Sequence, residues 1–255
     1  MVLLTGVTIA GGFINRGAHS QFLLEKLPSE TPIPMNETFD ETMTEEIIEL
    51  PACEWYALQF GAFDNETSAQ EASKVYQRRG AAGYLWYDQR YRVLGAVYSD
   101  RDDARAVREQ IKDQHSVDSY LYTISFPTVS MRIKGMRGQL EILQAAFMHA
   151  HDAVFRLQEL SFQMDRQELS VQESMQRLLA DCEQFDVIRL RIRQRFSAPI
   201  HPTIQALLAY LEEYRRFVNS FSVDQNTVIA GMNIKYQTFM QLDYLRKIYD
   251  TLELT

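Results

Sequence analysis

The sequence predicts an α+β fold, in which a small antiparallel sheet domain of β-α-β-β-α-β order is followed by an all-α antiparallel helical bundle. Three observations predict it. Strand-like alternation and short helical runs share residues 52–126. From residue 131 an apolar spacing of three and four takes over and continues almost to the end. Most of the prolines precede that change.

Taken in order, residues 1–17 open with MVLLTGVTIAGGFI, an apolar run of 14 residues ended by Asn15 and Arg16. It is shorter than the roughly 18 to 20 residues of a membrane span, and it lacks the basic start of a signal peptide. Two readings stand: a hydrophobic tail docked on a core, or the remnant of a single N-terminal membrane anchor. The anchor reading is the stronger, because a tether follows. Residues 18–51 carry four prolines and eight acidic residues against one lysine, a self-repelling composition that suits an extended linker. Within it, residues 41–49 have room for a short acidic helix.

The stretch WYALQFGAF at 55–63 alternates. Tyr56, Leu58 and Phe60 lie on one face of a strand, with Trp55, Ala57, Gln59 and Gly61 on the other. Asp64 or Asn65 caps a helix carrying Ala69, Ala72, Val75 and Tyr76, and Gly80 and Gly83 bracket its end. AGYLWYD and RYRVLGAVYS meet at Asp88 and Gln89 as a hairpin. Asp100 or Asp102 starts a second helix with Ala104, Val107 and Ile111 inward, and DSYLYTISF closes the unit before Pro127. Both helices then cover one sheet face. The second face, to which Gln59 belongs, is left without cover from its own domain.

Composition excludes several classes. A net charge of -8 and a pI near 5.2 argue against a nucleic-acid partner. Cys53 and Cys182 make neither a disulfide framework nor a CxxC metal site, and Cys182 falls on an apolar helical seam as a structural thiol. His149 and His151 are two apart, so a helix points them to different faces and no i, i+4 zinc pair arises. His201, between Ile200 and Pro202, suits a capping or exposed role. With no nucleophile elbow, phosphate loop or metalloprotease motif, the chain reads as a non-enzyme that needs no cofactor and no metal.

Two motifs resemble the SPOR (sporulation-related) domain family. The first is YALQFGAF, Tyr56 to Phe63; the second, about 30 residues on, is YRVLGAVYSDRDDA, Tyr91 to Ala104, with an alanine-bearing helix between them. The resemblance covers residues 52–126. It departs where Ala96 stands in the family's glycine position and Ala62 follows the first-strand glycine in place of serine. The resemblance implies binding of bacterial peptidoglycan, on glycan strands stripped of their stem peptides, during sporulation or division. Carried over by position, it implies that Gln59 bonds sugar hydroxyls or N-acetyl groups with Arg92 beside it. Arg90 stands where some members have an aromatic, and Trp55, Trp86, Tyr84 and Tyr120 are the aromatics able to stack on sugar.

Residues 131–255 carry four helical seams. Ile133, Met136, Leu140, Leu143, Phe147, Ala150, Val154 and Leu157 form the first; Val171, Met175, Leu178, Cys182, Phe185, Ile192 and Phe196 the second. Ile204, Leu207, Leu211, Tyr214, Val218 and Phe221 form the third, and Met232, Tyr236, Phe239, Leu245, Tyr249 and Leu252 the fourth. Breaks at MDRQ, SAPIHP and VDQN make a four-helix bundle or coiled-coil hairpin pair, which serves as a spacer or as a surface for homo-oligomerisation or a protein partner. The whole then reads as a membrane-tethered, extracytoplasmic wall-binding protein. The competing reading is a scaffold whose sheet packs on the bundle and binds no sugar. An RNP-like RNA binder shares the topology but lacks the basic surface.

Overall fold

A computed structural model describes residues 42–196 and 201–253. The apolar segment 1–17, and the part of the acidic stretch before residue 42, lie outside the described residues.

The sheet domain forms as its pattern requires. Strands β2 (Cys53–Phe63), β3 (Tyr84–Tyr87), β4 (Tyr91–Tyr98) and β5 (Tyr120–Phe126) pair antiparallel in the order β3-β4-β2-β5. Helices α1 (Glu66–Gln77) and α2 (Arg101–His115) start at side-chain caps. Asn65 Oδ1 accepts from the Ser68 amide at 2.9 Å, and Asp100 Oδ1 accepts from Asp102 and Asp103 at 2.8 and 2.9 Å. Beneath the helices, Leu58, Ala96 and Tyr98 pack with Ala104, Val107 and Ile111, while Phe60 stacks on Tyr76 with ring centroids 4.2 Å apart. Gly83 has φ +59, and an added Cβ would stand 2.8 Å from the Ser73 carbonyl oxygen, so the α1–β3 turn needs glycine there.

Strand β1 (Met43–Leu50) and strand β6 (Val129–Met136) correct two expectations. Residues 41–49 were expected as linker or short helix, and the first bundle helix was expected to begin near Met131. Instead β1 and β6 pair antiparallel as a separate two-stranded ribbon. The reason lies in period and charge. Val129, Met131, Ile133 and Gly135 alternate with Ser130, Arg132 and Lys134, and Gly135 is a poor helix residue. The acidic strand faces this basic one: Glu45 sits opposite Lys134, and its carboxylate lies 3.5 Å from Arg132. The ribbon buries Ile48 and Leu50 against the bundle.

Four helices follow: α3 (Arg137–Asp165), α4 (Val171–Arg195), α5 (Pro202–Ser220) and α6 (Thr227–Glu253). Each packs on its sequence neighbours, and α3 packs on α6 to close the ring. Ser170 and Glu173 form a capping box on α4, His201 Nδ1 accepts from the Thr203 amide to cap α5, and Asn226 accepts from Ile229 at the start of α6. Phe185, Tyr210 and Tyr214 fill the centre with edge-to-face rings. Cys182 is a buried free thiol, as its place on the seam requires.

The face of the sheet opposite α1 and α2 is not open. It packs on the bundle, so Trp55, Ala57, Tyr84, Trp86, Leu94, Ile124 and Phe126 share one core with α3 and α6. Tyr84 lies against Tyr236 and stacks on Phe239 at 5.5 Å, Trp55 meets Phe155 at 4.5 Å, and Phe126 meets Tyr249 at 5.1 Å. Three polar side chains of α6 donate to main-chain carbonyls across the junction. Lys235 reaches Gly80 at 3.1 Å, Arg246 reaches Tyr87 at 3.1 Å, and the Tyr249 hydroxyl reaches Pro51 at 3.5 Å.

Candidate functional site

The bundle leaves one corner of that face uncovered. Alternation puts Gln59 and Tyr120 opposite each other on β2 and β5, on the same face as Tyr122. Pairing of β2 with β4 slips on both sides of Gln59, from Ala57 opposite Val97, to Gln59 opposite Leu94, to Gly61 opposite Val93. Such irregularities re-aim side chains, and this one brings Gln59 to Arg92. Arg92 Nη1 donates to Gln59 Oε1 at 2.8 Å, and Arg92 Nε donates to Asp88 Oδ1 at 2.6 Å. The Tyr122 hydroxyl donates to the other Asp88 oxygen at 2.6 Å, and the Arg92 guanidinium lies 4.6 Å from the centre of the Tyr122 ring. Burial, and then the bond to Asp88, push the Tyr122 phenol up to about 12, so it stays a neutral donor.

The four side chains thus form a closed network at the sheet surface. With Arg92 held by a carboxylate, the two Gln59 Nε2 amide donors and the second lone pair of Oε1 are turned to a ligand. Tyr120, 69% exposed, supplies an apolar ring at the corner's outer edge. Arg90 points elsewhere: it pairs with Asp64 at 2.8 Å and donates to the Ala62 carbonyl at 3.1 Å.

Gln59 and Arg92 are therefore together, as the sequence led us to expect. Trp55 and Trp86 are not beside them as open stacking surfaces. They are 1% and 3% exposed, Trp55 beneath Phe155 and Trp86 beneath the Arg246 guanidinium at 4.3 Å. Tyr84 is likewise buried. Alternation assigned Trp55 to this face and left the faces of Trp86 and Tyr84 open, and it carried no sign of what would cover them. Asp88 and Tyr122 were missed. Asp88 was legible only as a turn residue, although Tyr122 shares the parity of Tyr120. At the motif's shifted glycine, Gly95 is needed where it stands, since a Cβ there would come 2.1 Å from Phe60 Cε2.

Residues 54–123 match the SPOR domain family. The SPOR domain is a non-catalytic, peptidoglycan-binding domain, and the match supports peptidoglycan binding by this segment. No curated protein and no solved structure gives a significant match to the chain. Among the described residues, no helix is long and apolar enough to cross a membrane.

Proposed function

We propose that the chain is a non-enzymatic binder of peptidoglycan glycan strands from which stem peptides have been removed, acting in envelope remodelling during division or sporulation. The observation that carries this reading is the Gln59–Arg92–Asp88–Tyr122 network, built on the SPOR segment and left uncovered by the bundle. A glycan offers hydroxyls, N-acetyl groups and apolar ring faces. An amide, an arginine and two tyrosines on a shallow surface complement these better than a deep apolar pocket does. Tethering through residues 1–17, with the bulk of the chain outside the membrane, would put the corner where glycan is reachable; the apolar run in the sequence supports it.

Cosedimentation of the chain with purified sacculi, untreated and amidase-stripped, tests the proposal. Stronger pelleting with stripped glycan is expected, lost in Gln59→Ala, Arg92→Ala. A second reading, a scaffold whose sheet serves only to hold the bundle, is favoured by the burial of Trp55, Tyr84 and Trp86. Absence of pelleting with either material would select it.

A further inference from the structure

We infer, resting on the glycan-binding reading, that the corner takes the end of a glycan strand, because the chain's own bundle walls it on two sides. Along β2 the open surface stops at Ala57, which is fully buried, with Trp55 beyond it under α3. Across the sheet it stops at Trp86. The cross-strand neighbour of Arg92 is Trp86, and Arg246 of α6 lies over that ring while donating to the Tyr87 carbonyl and pairing with Asp243. What remains runs from Gln59 to Phe63 along the strand and from Tyr120 across to Arg92.

At about 3.3 Å per residue and about 4.8 Å between strands, this is a patch on the order of 13 Å by 10 Å. It has room for only a few sugar rings. A strand lying along β2 collides with the covered Ala57, and one crossing from Tyr120 toward Trp86 collides with Arg246. A continuous strand passing diagonally misses either Tyr120 or Arg92. Only a terminal segment, entering from the β5 edge and stopping against α6, engages Tyr120, Gln59 and Arg92 together.

The walls are permanent features of the fold. They share one hydrophobic core with the sheet, and the ion pair of Lys235 with Asp165, at 2.6 Å, sits buried at the same junction. Inter-domain contacts that are large and apolar do not open readily.

The experiment compares equal masses of amidase-stripped glycan, intact and cut by a muramidase into shorter strands, in pelleting or calorimetric titration of the full chain. Binding sites per unit mass are expected to rise several-fold with the number of strand ends, and affinity for defined fragments is expected to level off by about four sugars. Capacity that follows total length, or affinity that keeps rising with each added disaccharide, would overturn the inference while leaving glycan binding intact. No binding to any fragment would remove the glycan reading and the inference with it. Arg246→Ala opens the wall over Trp86 while Tyr84 stays under Phe239. It is expected to narrow the difference between intact and cut glycan, and an unchanged ratio refutes the role of α6.

Discussion

If the sheet and the bundle share one core, a cut on the bundle side must be felt on the sheet side. Phe239→Ala is such a cut. Its ring is fully buried and stacks on Tyr84 of β3, so truncation removes an aromatic pair and leaves a cavity between the two layers. Phe→Ala at a buried site costs about 3 to 5 kcal/mol. With a urea m-value of about 3 kcal/mol/M for a chain of this size, the midpoint should fall by about 1 to 1.7 M. The assay has two natural probes. Both tryptophans of the chain sit at the junction, Trp55 against Phe155 and Trp86 against Arg246, so their fluorescence reports docking, while far-UV circular dichroism reports the helices. One transition is expected, seen alike by both probes and displaced by the same amount in the variant. Two separate transitions, or a displacement in one signal with the other unmoved, would refute a shared core.

Lys235→Met is expected to cost about 3 to 5 kcal/mol by leaving the largely buried Asp165 carboxylate unpaired, and Asp165→Leu added to it should recover most of the loss in urea unfolding. Because burial already holds the Asp165 carboxyl above its ordinary range, the Lys235→Met defect should be smaller at pH 5 than at pH 8. Burial also pushes His151, which shares a 3.1 Å hydrogen bond with the Tyr249 hydroxyl, from its ordinary 6.5 down to about 4. The folded state favours the neutral ring, so this contribution is complete above pH 6.5 and is lost as pH falls toward 4, by about 3 kcal/mol at 1.36 kcal/mol per unit. His151→Phe should flatten the stability profile of the chain over that window, and a variant with the parent's slope would count against it.

What the sequence disclosed depended on how local the signal was. The caps at Asn65, Asp100 and His201, the Asp88–Gln89 turn and the breaks between bundle helices are set by a few adjacent residues, and each appears where the pattern puts it. The β1–β6 ribbon was hidden because its two strands are far apart in the chain. An acidic run alone reads as a repelling linker; opposite Arg132 and Lys134 it is half of a charged pair of strands. Ile133 fits a three-residue helical step to Met136 as well as a two-residue step from Met131, and only the partner strand decides between them.

The same distinction separates the parts of the site. Gln59 was legible because alternation places it on the face away from the helices, and Arg92 beside it because the resemblance to the SPOR motifs puts it there; the register slip that joins them was not. Trp55 was legible as to face but not as to role, and Trp86 as to neither, since a row of large aromatics marks apolar surface whether sugar or protein covers it. The missing information was in helix α6. Its expected seam ran through Phe239, Leu245 and Tyr249, yet Ile234, Leu242 and Ile248, off that seam, are also fully buried. A helix buried on both sides belongs between two layers, not at the edge of a bundle. Lys235 and Arg246, set three turns apart on such a helix and both reaching sheet-domain carbonyls, mark the side that faces the second layer. Those two cations, on a helix with buried residues on both sides, were the trace in the sequence that the open face would be covered by the chain itself.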